Sequence, residues 1–215
     1  MDALITELRH RWPRLRSITV AGFSAGAQMV QHYIGFAATQ APGGVAIRYV
    51  VADPGTWLYF DEVRPQPVLH GQAMDWCECT GGASFLGNCT LEFQKMKAQC
   101  PALNRWEYGT DGLPTTLRRS AAAARARYAE ADIRYLEGAL NSRAAPGSSY
   151  RILDKSCAAN AQGPFRLQRG FAYAQYDRTV LAPDKQRKVV VVPGYAHDVT
   201  CVFPADADRA ALLGP

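Results

Sequence analysis

The stretch Ser17-Ile18-Thr19-Val20-Ala21 runs without a break into Gly22-Phe23-Ser24-Ala25-Gly26. A β-branched run that ends on a Gly-x-Ser-x-Gly turn leaves a chain few ways to fold. A strand, a sharp turn with the serine at its apex and a helix over residues 25–37 satisfy it together. Gly22 and Gly26 leave room for the turn and for close strand–helix contact, so the Ser24 hydroxyl projects from the sheet instead of packing into it. The N–H groups that open the following helix point at the same spot, where negative charge is stabilised.

The rest of the chain supplies the sheet that such a turn needs. Strands are expected at residues 17–21, 47–52, 132–136 and 188–192, and helical patterns at 2–12, 25–37, 117–130 and 162–178. Tyr49-Val50-Val51 and Val189–Val192 are nearly all apolar, as strands covered on both faces are. Alternating strands and helices predict an α/β fold with a predominantly parallel sheet and helices on both faces. A chain of 215 residues holds one core of ordinary size, so residues 1–215 read as a single domain. Residues 61–116 interrupt the rhythm with four cysteines, Trp76 and Trp106, and only one helical stretch, near 91–99. They read as a lid or cap inserted over the carboxyl edge of the sheet, where α/β folds bind ligands.

Composition excludes several classes. The longest aliphatic run, Val189–Val192, is far too short to span a membrane. Residues 1–8 lack the basic stretch and long apolar core of a signal peptide and read as an amphipathic helix. The net charge of +5 includes Arg118, Arg119, Arg125 and Arg127 around one predicted helix. No aromatic residues interleave them in the way that single-stranded nucleic acid requires, so they read as a solvated face and no nucleic-acid partner is expected.

Six cysteines permit complete pairing. Cys77 and Cys79 are too close to bridge each other comfortably, which directs them to Cys89 and Cys100 and leaves Cys157 for Cys201. Cys-x-Cys lacks the ligand spacing of a zinc site, so no metal is expected. Disulfides favour secretion or another oxidising compartment, and Asn88-Cys89-Thr90 is a glycosylation acceptor sequence for a host that glycosylates.

Ser24 needs a base, because a serine hydroxyl is a poor nucleophile alone. Of His10, His32, His70 and His197, only His197 follows the last strand, on a loop that opens at the same sheet edge as the serine turn. A third group must accept the second ring N–H and stabilise the imidazolium. Asp53, at the end of the strand after the serine helix, is the expected acid. Asn141, beyond the end of the third strand, is the alternative position but carries no charge. Asp198 adjoins the base and points badly, and Asp154 lies farther along the following loop. The N–H of Ala25 is the expected oxyanion donor. This set implies an acyl-enzyme mechanism on a small carboxylic ester with no cofactor; the alternative is a non-catalytic or truncated domain of the same fold.

Several stretches together resemble α/β-hydrolases, in particular a poorly characterised microbial group of serine hydrolases. They are Val20 to Gln28, Tyr49 to Pro54, Cys100 to Gly109, Gln162 to Gly170, and Val192 to Asp198. The serine turn is shared by the whole superfamily; the Trp106 and Gln162 stretches are more particular to the group. In that group asparagine usually stands where Asp53 does and aspartate where Asn141 does, so the resemblance implies that the two have been exchanged. Phe23 occupies a position often polar, which the turn tolerates. The resemblance begins one helix before the serine strand. It therefore implies that the early strands and the loop supplying the second oxyanion donor are missing, through truncation of a longer enzyme or rebuilding by oligomerisation or by the insertion.

Overall fold

The computed structural model describes residues 1–38, 44–79, 87–96 and 100–213. In chain order the elements begin with α1 (Asp2–Arg11), β1 (Ser17–Phe23), α2 (Ala25–Phe36), β2 (Ala46–Ala52), β3 (Val63–Leu69), β4 (Gln72–Ala73), α3 (Trp76–Cys79) and β5 (Thr90–Lys95). After them come α4 (Ala121–Glu130), β6 (Asp132–Gly138), α5 (Cys157–Asn160), α6 (Arg166–Tyr176), β7 (Val189–Val192), α7 (Val199–Val202) and α8 (Asp206–Leu213). No helix of the described residues is long and apolar enough to cross a membrane.

The four apolar stretches form one parallel sheet in the order β1-β2-β6-β7. Residues alternate between its faces, and each face meets helices. Ile18, Val20, Tyr49, Val51, Ile133 and Tyr135 pack with α2, α4 and α6 in the larger core. Val50, Ala52, Leu136 and Val192 face the other way, onto Val202 and Ala211 of α7 and α8. Each α/β crossover returns the chain to the same sheet edge. Phe23, Ala52, Leu136 and Val190 lie in register, so the residues that leave these strands emerge together.

Behind that edge, residues 53–60 run through the interior without forming a strand. Backbone N–H and C=O groups there still need partners, and two glutamines provide them. Gln162 accepts from Trp57 N–H (2.8 Å) and donates to Trp57 O (2.9 Å). Gln31 does the same for Leu58, at 3.0 and 3.1 Å. Trp57 and Tyr59 pack on Tyr173 in an aromatic cluster that also holds Tyr128, Tyr135 and Tyr176. Next to it, Asp177 and Arg187 form a buried ion pair at 2.9 Å that also accepts the Tyr135 hydroxyl.

The insertion is built differently from the reading of its sequence. The helix expected near 91–99 is instead β5 over its first part, and residues 97–99 lie outside the described set. Thr90 to Lys95 alternate, with Leu91 and Phe93 turned inward against Pro67 and Pro65 of β3. Strand pairing with a neighbour outweighs the helix-favouring Glu, Gln and Lys side chains. The antiparallel sheet β4-β3-β5 carries two prolines in its middle strand. Met74 N–H donates to Pro67 O (2.9 Å), so the sites that lack a donor face the short β4 and leave the β5 ladder intact. Buried Arg64 ties the sheet to the loop that follows, donating to Leu103 O and Tyr108 O.

The cysteine pairing also differs. Cys79 bridges Cys89, within the expected cluster, but Cys100 bridges Cys157 and not a neighbour in the insertion. Cys157 therefore does not pair with Cys201, and Cys77 belongs to neither bridge. The reason is spatial. The start of α5 lies with its Cα 5.9 Å from that of Cys100, inside bridging range. The expected arginine face is likewise partly turned inward. Arg125 pairs with Asp61 at 3.1 Å and Arg119 donates to Ala37 O.

Candidate active site

Ser24 occupies the turn between β1 and α2 with φ 56° and ψ −121°, a conformation that costs energy for any residue but glycine. The surroundings hold it there. Ser24 N–H donates to Ala52 O on β2 (3.0 Å), and the Ser24 carbonyl accepts from Ala27 and Gln28 in the first turn of α2. Gly22 makes the turn possible, since a Cβ at that position would lie 2.2 Å from Gly26 O.

His197 meets the serine. Its Nε2 stands 2.8 Å from Ser24 Oγ, and its ring stacks on Phe23 at 4.7 Å between centroids. The loop that carries it is anchored by a bond from His197 N–H to Gly147 O. Burial, and then the positive charge of Arg166, lower the His197 pKa to about 4. The imidazole is thus neutral at pH 7, with the Ser24 hydroxyl donating to Nε2 and the ring proton on Nδ1. Nδ1 is buried and has no partner among the described residues.

Asp53 does not bond to His197. It is wholly buried, with φ 50°, directly after β2. Its Oδ1 accepts from Gly138 N–H (3.0 Å) and from Asn141 Nδ2 (2.6 Å). Burial raises its pKa, opposed by hydrogen bonds from Glu137, Gly138 and Asn141 and by the charge of Arg166. Glu137, also wholly buried, is pushed well above the usual carboxyl range by burial and by the Asp53 charge. Apart from this carboxyl pair, Glu137 Oε1 and Oε2 and Asp53 Oδ2 have no donor. A proton on Glu137 resolves the shortage, since its O–H then donates to Asp53. Gly170 makes the space: a Cβ there would come 2.4 Å from Glu137 Oε1.

A cavity of about 240 Å³ opens on the serine, lined among others by Ala25, Thr56, Glu107, Asp154 and Arg166. Ala25 holds the first position of α2, where the N–H has no carbonyl one turn back to bond. Arg166 is 4% exposed and donates to Ser148 O, with its Nε unpartnered. Asp154 is ionised and occupied, accepting from Tyr108 Oη (2.5 Å) and Ser156 N–H (2.8 Å). Neighbouring Arg169 ties the loops behind the cavity together, donating to Gly163 O, Gly55 O and Asp154 O.

The structure brings Ser24, Ala25 and His197 together, and joins Asp53 to Asn141 in a second cluster. Sequence reading did not find Glu137 or Arg166. Glu137 carried a signal, as an acid set between Leu136 and Gly138 in a strand of buried pattern. The other histidines lie elsewhere; His32 bonds Glu107 O and rests on Trp106. Asp198 caps α7 through Thr200 N–H.

The His197 environment sets a pH dependence. The neutral imidazole is the form that can take a proton from Ser24, so the reactivity of Ser24 toward a fluorophosphonate should hold from pH 7 down to about 5. It should be half lost near pH 4 and not near the ~6.5 of an unperturbed histidine. The pH profile of inactivation by a fluorophosphonate measures this. Stability moves with the same group: the unfolded chain binds the proton more readily between pH ~6.5 and 4, so the His197 contribution falls as pH drops through that window.

No family model and no curated protein sequence matches the chain. Among solved structures it is similar to poly(aspartic acid) hydrolase-1 from Sphingomonas sp. KT-1, with a TM-score of 0.58 and 18% identity over 95% of this chain and 59% of that one. It is also similar to LpqC, a poly(3-hydroxybutyrate) depolymerase from Bordetella parapertussis, with a TM-score of 0.57 and 18% identity over 97% of this chain and 56% of that one. The chain thus spans less than two thirds of the structures that it resembles. Its parallel sheet, serine turn and disulfide-bonded insertion make up part of an α/β-hydrolase-like fold.

Proposed function

We propose that this chain is a serine hydrolase that cleaves carboxylic esters through an acyl-enzyme. The observation that carries the reading is the 2.8 Å contact between His197 Nε2 and a Ser24 hydroxyl held at a strained strand–helix turn. The Ser24 hydroxyl gives its proton to His197 Nε2 as Oγ attacks the ester carbonyl. The developing oxyanion sits at the start of α2, where the Ala25 N–H and the helix dipole stabilise it. His197 then protonates the leaving alcohol. In the second half, water loses a proton to His197 as it attacks the acyl carbon, and His197 returns that proton to Ser24 Oγ as the C–O bond to the serine breaks and the acid leaves. Asp53 is the negative charge that offsets the transient imidazolium. The insertion acts as a cap, with Glu107 reaching the cavity wall.

One observation favours a second reading, a domain that binds without turnover: Nδ1 of His197 has no partner. Labelling the folded protein with a fluorophosphonate separates the two. One adduct per chain, located on Ser24 by peptide mass spectrometry and absent from Ser24→Ala, is the expected result. No adduct on a folded sample would overturn the hydrolase reading.

A further inference from the structure

Of the buried atoms at this site that lack partners, among them Arg166 Nε, two stand on loops bonded to each other and have complementary chemistry. His197 Nδ1 carries the ring proton and has no acceptor; Asn141 Oδ1 is an acceptor and has no donor. An unmet buried polar atom is costly to a fold, so each calls for a partner. The loops are neighbours by direct bonds. Leu140 N–H donates to Tyr195 O (2.9 Å) and Ala139 N–H to Val192 O (3.0 Å). Gly138 lets them approach, for a Cβ there would lie 2.6 Å from Ala196 O.

The other end of the Asn141 amide is fixed. Its Nδ2 donates to Asp53 Oδ1 at 2.6 Å, which leaves only the carbonyl free and turns it away from Asp53. Asp53 cannot swing toward His197 without giving up that bond, the bond from Gly138 N–H and the carboxyl contact with Glu137. The groups around the imidazole are therefore Ser24 and Phe23 from the serine turn, Arg166 from α6, and the 138–141 loop with the Asp53–Glu137 pair behind it.

We infer that Asn141 is a positioning residue that stands between acid and base: its Oδ1 receives the His197 Nδ1–H, and Asp53 acts on the histidine through the Asn141 amide. No proton crosses the amide. The Nδ1 proton stays on His197 throughout, and Asn141 Nδ2 keeps its own. A carboxylate bonded to one end of an amide polarises it and makes the carbonyl at the other end a better acceptor. Glu137, neutral, holds the second Asp53 oxygen. The inference rests on the serine-hydrolase reading for its catalytic meaning, but the contact is measurable without turnover.

The test is the reciprocal exchange Asp53→Asn with Asn141→Asp. It keeps a carboxylate–amide hydrogen bond between the two positions but sets the carboxylate against His197. The His197 titration, followed by NMR of ¹⁵N-histidine-labelled protein, is expected to rise by two or more pH units. The acid limb of fluorophosphonate inactivation should move with it, and acylation at pH 7 should speed up at least tenfold. Asn141→Ala should slow acylation by about ten- to a hundredfold without raising the titration. A folded exchange variant whose histidine titrates where the natural one does would overturn the inference. So would a natural protein whose His197 Nδ1 proton exchanges and shifts as in Asn141→Ala, a comparison that stands if the exchange variant fails to fold. If Ser24 takes no label in any variant while the titration still moves, the catalytic reading fails and the contact stands.

Discussion

His197→Ala is expected to slow Ser24 acylation by about four to six orders of magnitude while leaving the protein folded. Among the described residues, His197 is the base that stands within reach of the Ser24 hydroxyl, at 2.8 Å. Without it the proton has nowhere to go but water in a narrow cavity, and the attacking oxygen stays neutral. The site does not substitute another base: Glu107 and Asp154 line the same cavity, but Asp154 is ionised with both oxygens taken and Glu107 sits exposed at the rim. Folding should survive, because His197 lies on a half-buried loop beside Ser24 and not in either hydrophobic core. The second-order rate of fluorophosphonate inactivation reads the effect over that range. His32→Ala is the control, since His32 faces Glu107 O and Trp106 instead of the serine. A loss at His32 equal to that at His197, or a loss at His197 below tenfold, would remove the histidine from the chemistry.

Gly22→Ala is expected to cost more than about 3 kcal/mol of stability, a drop in Tm of roughly 6–12 °C for a chain of this size. The added methyl would meet Gly26 O at 2.2 Å, Gly26 C at 2.5 Å and Ala27 N at 2.8 Å. All three are backbone atoms of the first turn of α2, so no rotamer change relieves the contact. Either α2 moves away from β1, opening the core at Ala27 and Val30, or the serine turn unwinds. Both displace Ser24 from His197, so activity should fall with stability. Gly26→Ala is the informative partner. A Cβ at Gly26 meets nothing within 4 Å, so that variant should lose little. Differential scanning calorimetry of the two variants decides it; equal melting points would show that close packing is not what fixes the turn.

What could be read from the sequence was what local chemistry decides. Apolar runs such as Tyr49-Val50-Val51 must be covered on both sides, and a serine between two glycines after a strand has one natural geometry. That Ser24, Ala25 and His197 would lie close together followed from their places along the chain. What could not be read depended on which distant parts meet. Thr90 to Lys95 fits a helix until β3 offers a ladder. The partner of Cys100 is decided by the path of a segment 57 residues away. The place of Asp53 shows the same limit in the site itself. Its position at a strand end was legible, but not that Asn141 and Gly138 would claim its oxygen and turn it from the base.

Residues 53–60 carry a consequence for anyone redesigning this protein. By secondary structure they form a connection, the kind of segment into which insertions and grafts are usually placed. Yet Gln31 and Gln162 grip Trp57 and Leu58 at both backbone groups, as a neighbouring strand would. Lengthening the segment by a single residue would strip both amides of their partners and shift Trp57 out of the aromatic cluster. Permissive sites should be sought by asking which backbone groups are spoken for, and on that criterion this connection ranks with the strands.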